Sequence, residues 1–492
     1  MAFIYKYILK DPTNRKNEDL RKYRNSIENT IRDVFKGSLK EVLVEEDYFE
    51  FKLYLKASDQ ILKEMGKELV KRDNSLDVLK RVTRSGGKLF IRSDSDYYAY
   101  LEKYSEGTKE FVLNFDVVKK FDVANSTSYS DLQIDKREVL RKIDTYKISL
   151  YFNIDKISRK LRSMLQKLKE DNWYLIKGRL SNSEQDSEMF LDFTAFHRSD
   201  NNDNRLISGF KVSSIYDIEN NTKKDINQFF SIDGIDYRMT SNPLPEVNKI
   251  KVVIYNVGQG LCTAICDENE KPYIYFDFGC GHGRNKCTYP GGMSYDPTHH
   301  PKIILSHWDT DHYILINECA DALDSEWITS NNAKGPYASK IYAELSKRNN
   351  LVVVSSDQDL TWGRIIVGNG NNNHKHNDGL SLLLESKNKD SNNNIIIKKC
   401  LMTGDNRYNV LPGYALQNLD VLLASHHGGT YGNATNMPIS KNDGLVIYSY
   451  GKDDKFLPYF NSHKHPSRVQ DYIKAGWTNE VHTPDGNYIF DL

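Results

Sequence analysis

At 492 residues with 39% hydrophobic content, the chain is long enough for more than one packed domain and too apolar to be disordered. Lys plus Arg and Asp plus Glu both number 67, so global charge gives no pull toward a polyanion, and a nucleic-acid reading must rest on a site or a local patch. No run of the roughly eighteen apolar residues that a membrane helix needs occurs, which excludes a helical membrane span and points to a cytoplasmic protein.

The opening residues, MAFIYKYILKDPTNRK, lack a basic leader and a small-residue cleavage site, and 3–9 predict a strand. Leu20, Tyr23, Ile27, Ile31 and Val34 recur at three- and four-residue intervals, which predicts an amphipathic helix over 14–35 stopped by Gly37. Alternation over 41–45 and 48–54 predicts a hairpin, after which Ser58 or Asp59 caps a helix carrying Ile61, Met65 and Leu69. A helix over 154–172 sets Ile157, Leu161, Leu165 and Leu168 on one face, with Lys156, Arg159, Lys160, Arg162, Lys167 and Lys169 on the others. Such a helix can track phosphates, although a solvated face on a core-packed helix is the more ordinary reading. Short strands are predicted at 173–176, 189–196 and 206–212. No nucleophile or metal cluster shows in this half. Residues 1–248 are therefore expected to be a mixed α/β accessory region that selects substrate or binds a protein partner. The two prolines of 240–248, TSNPLPEVN, mark the linker.

Twelve of the thirteen histidines, and all of Cys262, Cys266, Cys280, Cys287, Cys319 and Cys400, follow residue 250. Without CxxC spacing the cysteines read as buried thiols. The segment KIKVVIYNVGQGLCTAIC from Lys249 predicts strand, glycine-containing turn and strand, and a third strand over 273–277 ends at Asp277. In KIILSHWDTDH, residues 302–312, the apolar run Ile303, Ile304, Leu305 stops at Ser306, and His307, Asp309, Asp311 and His312 then crowd together. These groups would repel one another and lose hydration without cations between them, so two metal ions are the simplest reading. The carboxylate share leaves Mn²⁺ or Fe open beside Zn²⁺. Helices are predicted over 313–323 and 337–348. Two later strand-to-turn transitions carry further donors: Asp405 in LMTGD, whose two oxygens can each meet one ion, and His426-His427 after a strand at 420–425.

His307-Trp308-Asp309-Thr310-Asp311-His312 resembles the HxHxDH motif of metallo-β-lactamase-fold hydrolases, in the HxDxDH form of the ComEC competence-protein type. The likeness extends over 249–492. Asn256-Val257-Gly258-Gln259-Gly260 is similar to the family's DVGQGD, Leu401-Met402-Thr403-Gly404-Asp405 to LTGD, and His426-His427-Gly428-Gly429 to HHGS. Asn377-Asp378-Gly379-Leu380-Ser381 is similar to Asn-x-x-Ser. Asn461-Ser462-His463-Lys464-His465-Pro466 is similar to Asn-x-Tyr-Gly-His-Pro, with His463 and Lys464 replacing the aromatic residue and the glycine.

The resemblance implies an α+β chain with a four-layer αββα sandwich at 249–492. It implies two divalent ions, Zn or Mn, on His307, Asp309, Asp311, His312, Asp405, His427 and His465, with Asp405 bridging. Asp277 would support the ligand loop from behind, while Asn377, Ser381 and Asn461 would orient a ligand or the substrate. His427 is assigned to metal and His426 to the substrate phosphate or leaving group, the reverse order staying open. Asp311 or Asp309 would accept the proton of the attacking water. The implied activity is a metal-dependent phosphodiesterase or nuclease acting on nucleic acid or a nucleotide. Alternatives are a small-molecule or cyclic-nucleotide phosphodiesterase, and a partner-binding sensor or effector scaffold with little turnover. Competence channels join such a domain to a membrane pore, which this sequence does not carry. The HxDxDH form, and the lack of a Cys ligand after the Asp405 strand, argue against antibiotic hydrolysis.

Overall fold

The computed structural model describes residues 3–10, 41–47, 50–57, 95–106, 110–120, 123, 135–143, 145–153, 159–181, 209–231, 250–282, 285, 288–330, 333, 335–370, 378–389, 395–429, 436–451 and 466–492. It divides into two compact units, residues 1–94 and 95–492. In the first, β1 (Phe3–Lys10), β2 (Glu41–Asp47) and β3 (Glu50–Ala57) form an antiparallel sheet in the order β1-β3-β2, so the predicted hairpin pairs as β2 with β3. The predicted helices over 14–35 and after Ser58, the strand at 189–196 and the linker at 240–248 lie outside the described residues.

The second unit opens with five antiparallel strands: β4 (Ser95–Glu106), β5 (Glu110–Lys119), β6 (Thr145–Asn153), β7 (Asn172–Ser181) and β8 (Gly209–Asp217), in the order β6-β5-β4-β7-β8. Alternation along them sends Tyr97, Ala99, Leu101, Leu113, Phe115 and Val117 to one core. Tyr100, Val118 and Trp173 face the other way, where α1 (Lys136–Lys142) and α3 (Asn220–Phe230) cover them. On the first face α2 (Arg159–Leu165) buries Leu165 and leaves Arg159 and Arg162 exposed. It ends at Leu165, short of the predicted 172, and the chain turns at Asp171 (φ 58) to enter β7.

From residue 250 onward the strands are β9 (Lys251–Ile254), β10 (Cys262–Cys266), β11 (Pro272–Phe278), β12 (Lys302–Ile304), β13 (Trp327–Thr329), β14 (Leu351–Val353), β15 (Gln358–Leu360), β16 (Gly363–Val367), β17 (Leu380–Lys389), β18 (Ile395–Met402), β19 (Leu419–Leu423), β20 (Ser440–Tyr448), β21 (Asn479–His482) and β22 (Tyr488–Asp491). They build two seven-stranded sheets, ordered β14-β13-β12-β11-β10-β9-β22 and β15-β16-β17-β18-β19-β20-β21. One apolar core lies between the sheets, with Ile254, Phe276, Ile304 and Ile328 of the first meeting Leu382, Met402, Leu423 and Ile447 of the second. Fully burying one such side chain contributes roughly 1.5–3 kcal/mol. The outer face of the first sheet is covered by α4 (Pro336–Lys347) through Tyr337, Ile341 and Leu345, and that of the second by α5 (Val469–Lys474) through Tyr472. The chain is therefore mixed α+β, and from residue 250 onward it is an αββα sandwich.

Strands β11 to β14 run parallel in the first sheet and β18 to β21 in the second, so in each sheet their C-terminal ends share one edge. Ile303 and Ile304 are both fully buried, one toward the α4 side and one toward the inter-sheet core, as a central parallel strand requires. The helix predicted over 313–323 is instead two 3₁₀ segments, Ile314–Asn317 and Ala320–Asp324. Cys319, at φ −119 and ψ 69, lies outside helical space and separates the two. Helix α4 also serves the five-stranded sheet's layer: Lys340 Nζ donates to Ile143 O at 2.8 Å, Ser339 Oγ donates to Phe230 O at 2.9 Å, and Arg141 pairs with Glu344.

Candidate metal centre

The ligand loop leaves β12 at Ile304 and is anchored one turn on by Ser306. The Ser306 N–H donates to Asp277 Oδ1 at 2.6 Å and its hydroxyl to Asp277 Oδ2 at 2.8 Å. Asp277 sits in β11 with φ 58, a left-handed conformation that aims its carboxylate under the loop. Ser306 O accepts from Leu380 N–H at 2.7 Å, which ties the loop to β17 of the opposite sheet. Gly279 lets the far end of the loop lie against the end of β11: a Cβ there would lie 1.8 Å from Asp311 O.

Three imidazoles enter the centre with Nδ1 already engaged. His427 Nδ1 lies 2.7 Å from Ser449 O, an oxygen that can only accept, so Nδ1 carries the proton. His312 Nδ1 meets Asp277 Oδ2 at 2.7 Å. The Ser306 hydroxyl, spending its proton on Asp277, accepts from His307 Nδ1 at 3.0 Å. All three Nε2 atoms then face carboxylates: His307 lies 3.4 Å from Asp309 Oδ2 and 3.8 Å from Asp405 Oδ2, His312 3.3 Å from Asp405 Oδ1, and His427 3.4 Å from Asp311 Oδ2. His312 Nε2 is buried without a well-directed hydrogen bond.

These donors fall into two overlapping buried sets, His307, His312 and Asp405, and Asp311, His312 and His427, each with its ligand atoms within 4.8 Å of one another. Asp405 turns Oδ1 toward His312 and His427 and Oδ2 toward His307 and His426. Burial pushes its carboxyl up, but His426 and His312 outweigh that and hold it well below the usual range. Burial acts the same way on Asp311, where Lys103 and His427 prevail and keep it ionised. For His312, burial favours the neutral ring, yet Asp277 and Asp405 raise its pKa well above the ordinary value. Nitrogen and oxygen donors of this kind, with Nδ1 fixed from behind and Nε2 turned inward, fit divalent metal ions.

His426 and His427 both occupy the left-handed region, with φ 49 and 55, in the tight turn after β19. That turn buries His427 and leaves the His426 side chain 18% exposed, 3.8 Å from Asp405 Oδ2. Ser381 is buried beside the centre and accepts from Asn406 Nδ2 at 3.0 Å, while Asn406 Oδ1 accepts from Gly379 N–H at 3.1 Å. His465, Asn377 and Asn461 lie outside the described residues.

Sequence reasoning missed a second set of contacts, all from the five-stranded sheet. Glu102 Oε1 accepts from the Thr310 N–H and hydroxyl at 2.7 and 2.6 Å, and Lys103 Nζ lies 3.9 Å from Asp311 Oδ2. Behind Glu102, Lys147 Nζ is held by Glu102 at 3.0 Å and Asp116 at 3.5 Å. No local spacing announces Glu102 or Lys103, because Thr310 and Asp311 lie 208 positions along the chain.

The chain matches no protein-family model and no curated protein. Among solved structures it is similar to that of a long form RNase Z from yeast, at 11% identity and a TM-score of 0.28, over 66% of this chain and 50% of that one. It thus spans about half the length of that protein.

Proposed function

We propose that the chain is a metallo-β-lactamase-type metallohydrolase of the ComEC-like branch, a phosphodiesterase or nuclease working with two divalent ions, Zn or Mn. The observation that carries this reading is the trio His307, His312 and His427, each with Nδ1 pinned from behind and Nε2 facing Asp309, Asp311 or Asp405. When bound, two such ions supply Lewis acidity and bring the pKa of a water toward neutrality.

The chain's own groups do the rest. Asp405 presents one oxygen to each half of the centre. Asp311 or Asp309 takes the proton released as water attacks phosphorus. His426, the most exposed of the histidines at the centre, faces the substrate and steadies the leaving group. His465, and the polar side chains of Asn377, Ser381 and Asn461, complete the ligand and substrate shell in this reading. Residues 249–492 carry the chemistry and 1–248 the accessory role, with a partner surface and substrate selection assigned there. Among the described residues no helix is long and apolar enough to cross a membrane, and a cytoplasmic location is part of the proposal.

The test is metal content of the purified protein, followed by Zn²⁺- or Mn²⁺-dependent release of p-nitrophenol from bis-p-nitrophenyl phosphate, with Asp311→Ala and Asp405→Ala as controls. Bound metal with turnover that both variants abolish is the expected result. Metal-free protein without turnover would overturn the hydrolase reading in favour of a partner-binding scaffold. Single-stranded, double-stranded and cyclic substrates compared side by side then separate a nuclease from a small-molecule phosphodiesterase.

A further inference from the structure

Adjacent residues of a β-strand point to opposite faces, yet Glu102 and Lys103 of β4 both reach the same ligand loop. Glu102 Oε1 binds Thr310 N–H at 2.7 Å, and Lys103 Nζ stands 3.9 Å from Asp311 Oδ2. A β-bulge makes this arrangement. Strand β4 pairs with β5 as Leu101 with Phe115 and then Lys103 with Asn114, so Glu102 is the extra residue and the next side chain is re-aimed. A regular strand that kept Glu102 on Thr310 would carry Lys103 away from the centre.

The position is a poor one for a residue whose task is to help bind metal. A lysine ammonium competes with divalent ions for Asp311 and repels them across it. Its charge is useful there when an anion lies between it and the ions. The Lys103 side chain is 26% exposed against 8% for Asp311, so of the two the lysine is the more accessible to an incoming ligand. We propose that Lys103 is a substrate-binding residue that holds a non-bridging phosphate oxygen beside Asp311. The five-stranded sheet would thereby complete the active site and select anionic phosphodiesters. The proposal rests on the phosphodiesterase reading above.

The experiment compares full-length wild type, Lys103→Met and Lys103→Arg, each loaded with Mn²⁺ or Zn²⁺. It measures bound metal, the Kd for inorganic phosphate by calorimetry, and kcat and KM on bis-p-nitrophenyl phosphate. In the Met variant, metal content and melting temperature should stay at wild-type values, while the phosphate Kd and KM rise roughly tenfold to a hundredfold, the range of one charge-assisted hydrogen bond. Arg, which keeps the cation, should restore most of the affinity. Unchanged phosphate affinity in Lys103→Met would overturn the proposal. So would a loss of affinity that follows a loss of metal, which would make Lys103 a counter-charge for Asp311. A wild type that binds metal but turns over no phosphodiester would sink the hydrolase reading, and the phosphate affinities would still decide the role of Lys103.

Discussion

Glu102 Oε1 accepts two hydrogen bonds from Thr310, at 2.7 Å from the backbone N–H and 2.6 Å from the hydroxyl, across 208 positions of sequence. Its other oxygen holds Lys147 Nζ at 3.0 Å. The middle of the ligand motif is therefore positioned from another sheet, through a carboxylate with both oxygens engaged. Glu102→Ala leaves the Thr310 donors and the Lys147 charge buried with one acceptor fewer, a loss of about 3–5 kcal/mol. Glu102→Gln keeps an acceptor for Thr310 and should lose clearly less. Urea denaturation of the three proteins measures this, and an Ala variant with the wild-type midpoint would contradict it.

Asp116, on the far side of Lys147, gives the fold a pH dependence. Its Oδ2 accepts from the Tyr337 N–H at 2.7 Å, in the first turn of α4, and lies 3.5 Å from Lys147 Nζ. Burial pushes its carboxyl from 3.8 up to about 7, against the pull of Lys147. Between these values the folded protein holds a proton that the unfolded chain has released, so stability falls as pH rises from about 4 to about 7, by roughly a few kcal/mol. Asp116→Asn cannot ionise and should flatten that part of the profile. Melting temperatures at about pH 5 and about pH 8 provide the comparison, and parallel profiles for the two proteins would refute the assignment.

What the sequence displays and what it hides divide along contact distance. His307, Asp309, Asp311 and His312 are legible because a strand end packs them into six positions, and Asp405 and His427 because each also follows an apolar strand. Sheet alternation and the helix at α4 are legible for the same local reason. Glu102 and Lys103 are not, since a bulge decides where their side chains go and nothing in SDYYAYLEKYSE marks one. Ser306 reads as an ordinary strand-end serine, and only the fold shows it receiving His307 while donating to Asp277. The helix expected at 313–323 is interrupted at Cys319, whose φ of −119 and ψ of 69 are not helical, which leaves two 3₁₀ segments.

Asp277 should matter for metal affinity without itself touching an ion. It fixes His312 through Nδ1 at 2.7 Å and holds Ser306 through two hydrogen bonds, so Asp277→Ala frees the ring of a histidine common to both donor sets. Loss of such a support typically weakens metal binding about ten- to a hundredfold. Competition with a chromophoric chelator reads the change directly. Wild-type affinity in the variant would show that His312 is oriented by packing alone.

Gly404 tests whether the two sheets must touch behind the centre. Its φ is +54, and a Cβ there would stand 2.3 Å from Ser306 Oγ and 2.5 Å from Ser306 Cβ, so Gly404→Ala combines a backbone penalty with a steric one. Gly291 separates the two terms: φ is +77 there, but nothing lies within 4 Å of an added Cβ. Gly291→Ala should thus cost only the left-handed strain, roughly 1–2 kcal/mol, with metal content intact. Gly404→Ala should cost more. It should also lose metal, because displacing Ser306 releases Asp277 and His307 together. Calorimetric melting and metal analysis of the pair decide the matter, and a Gly404→Ala protein that melts like Gly291→Ala with its ions in place would show that Ser306 can shift without consequence.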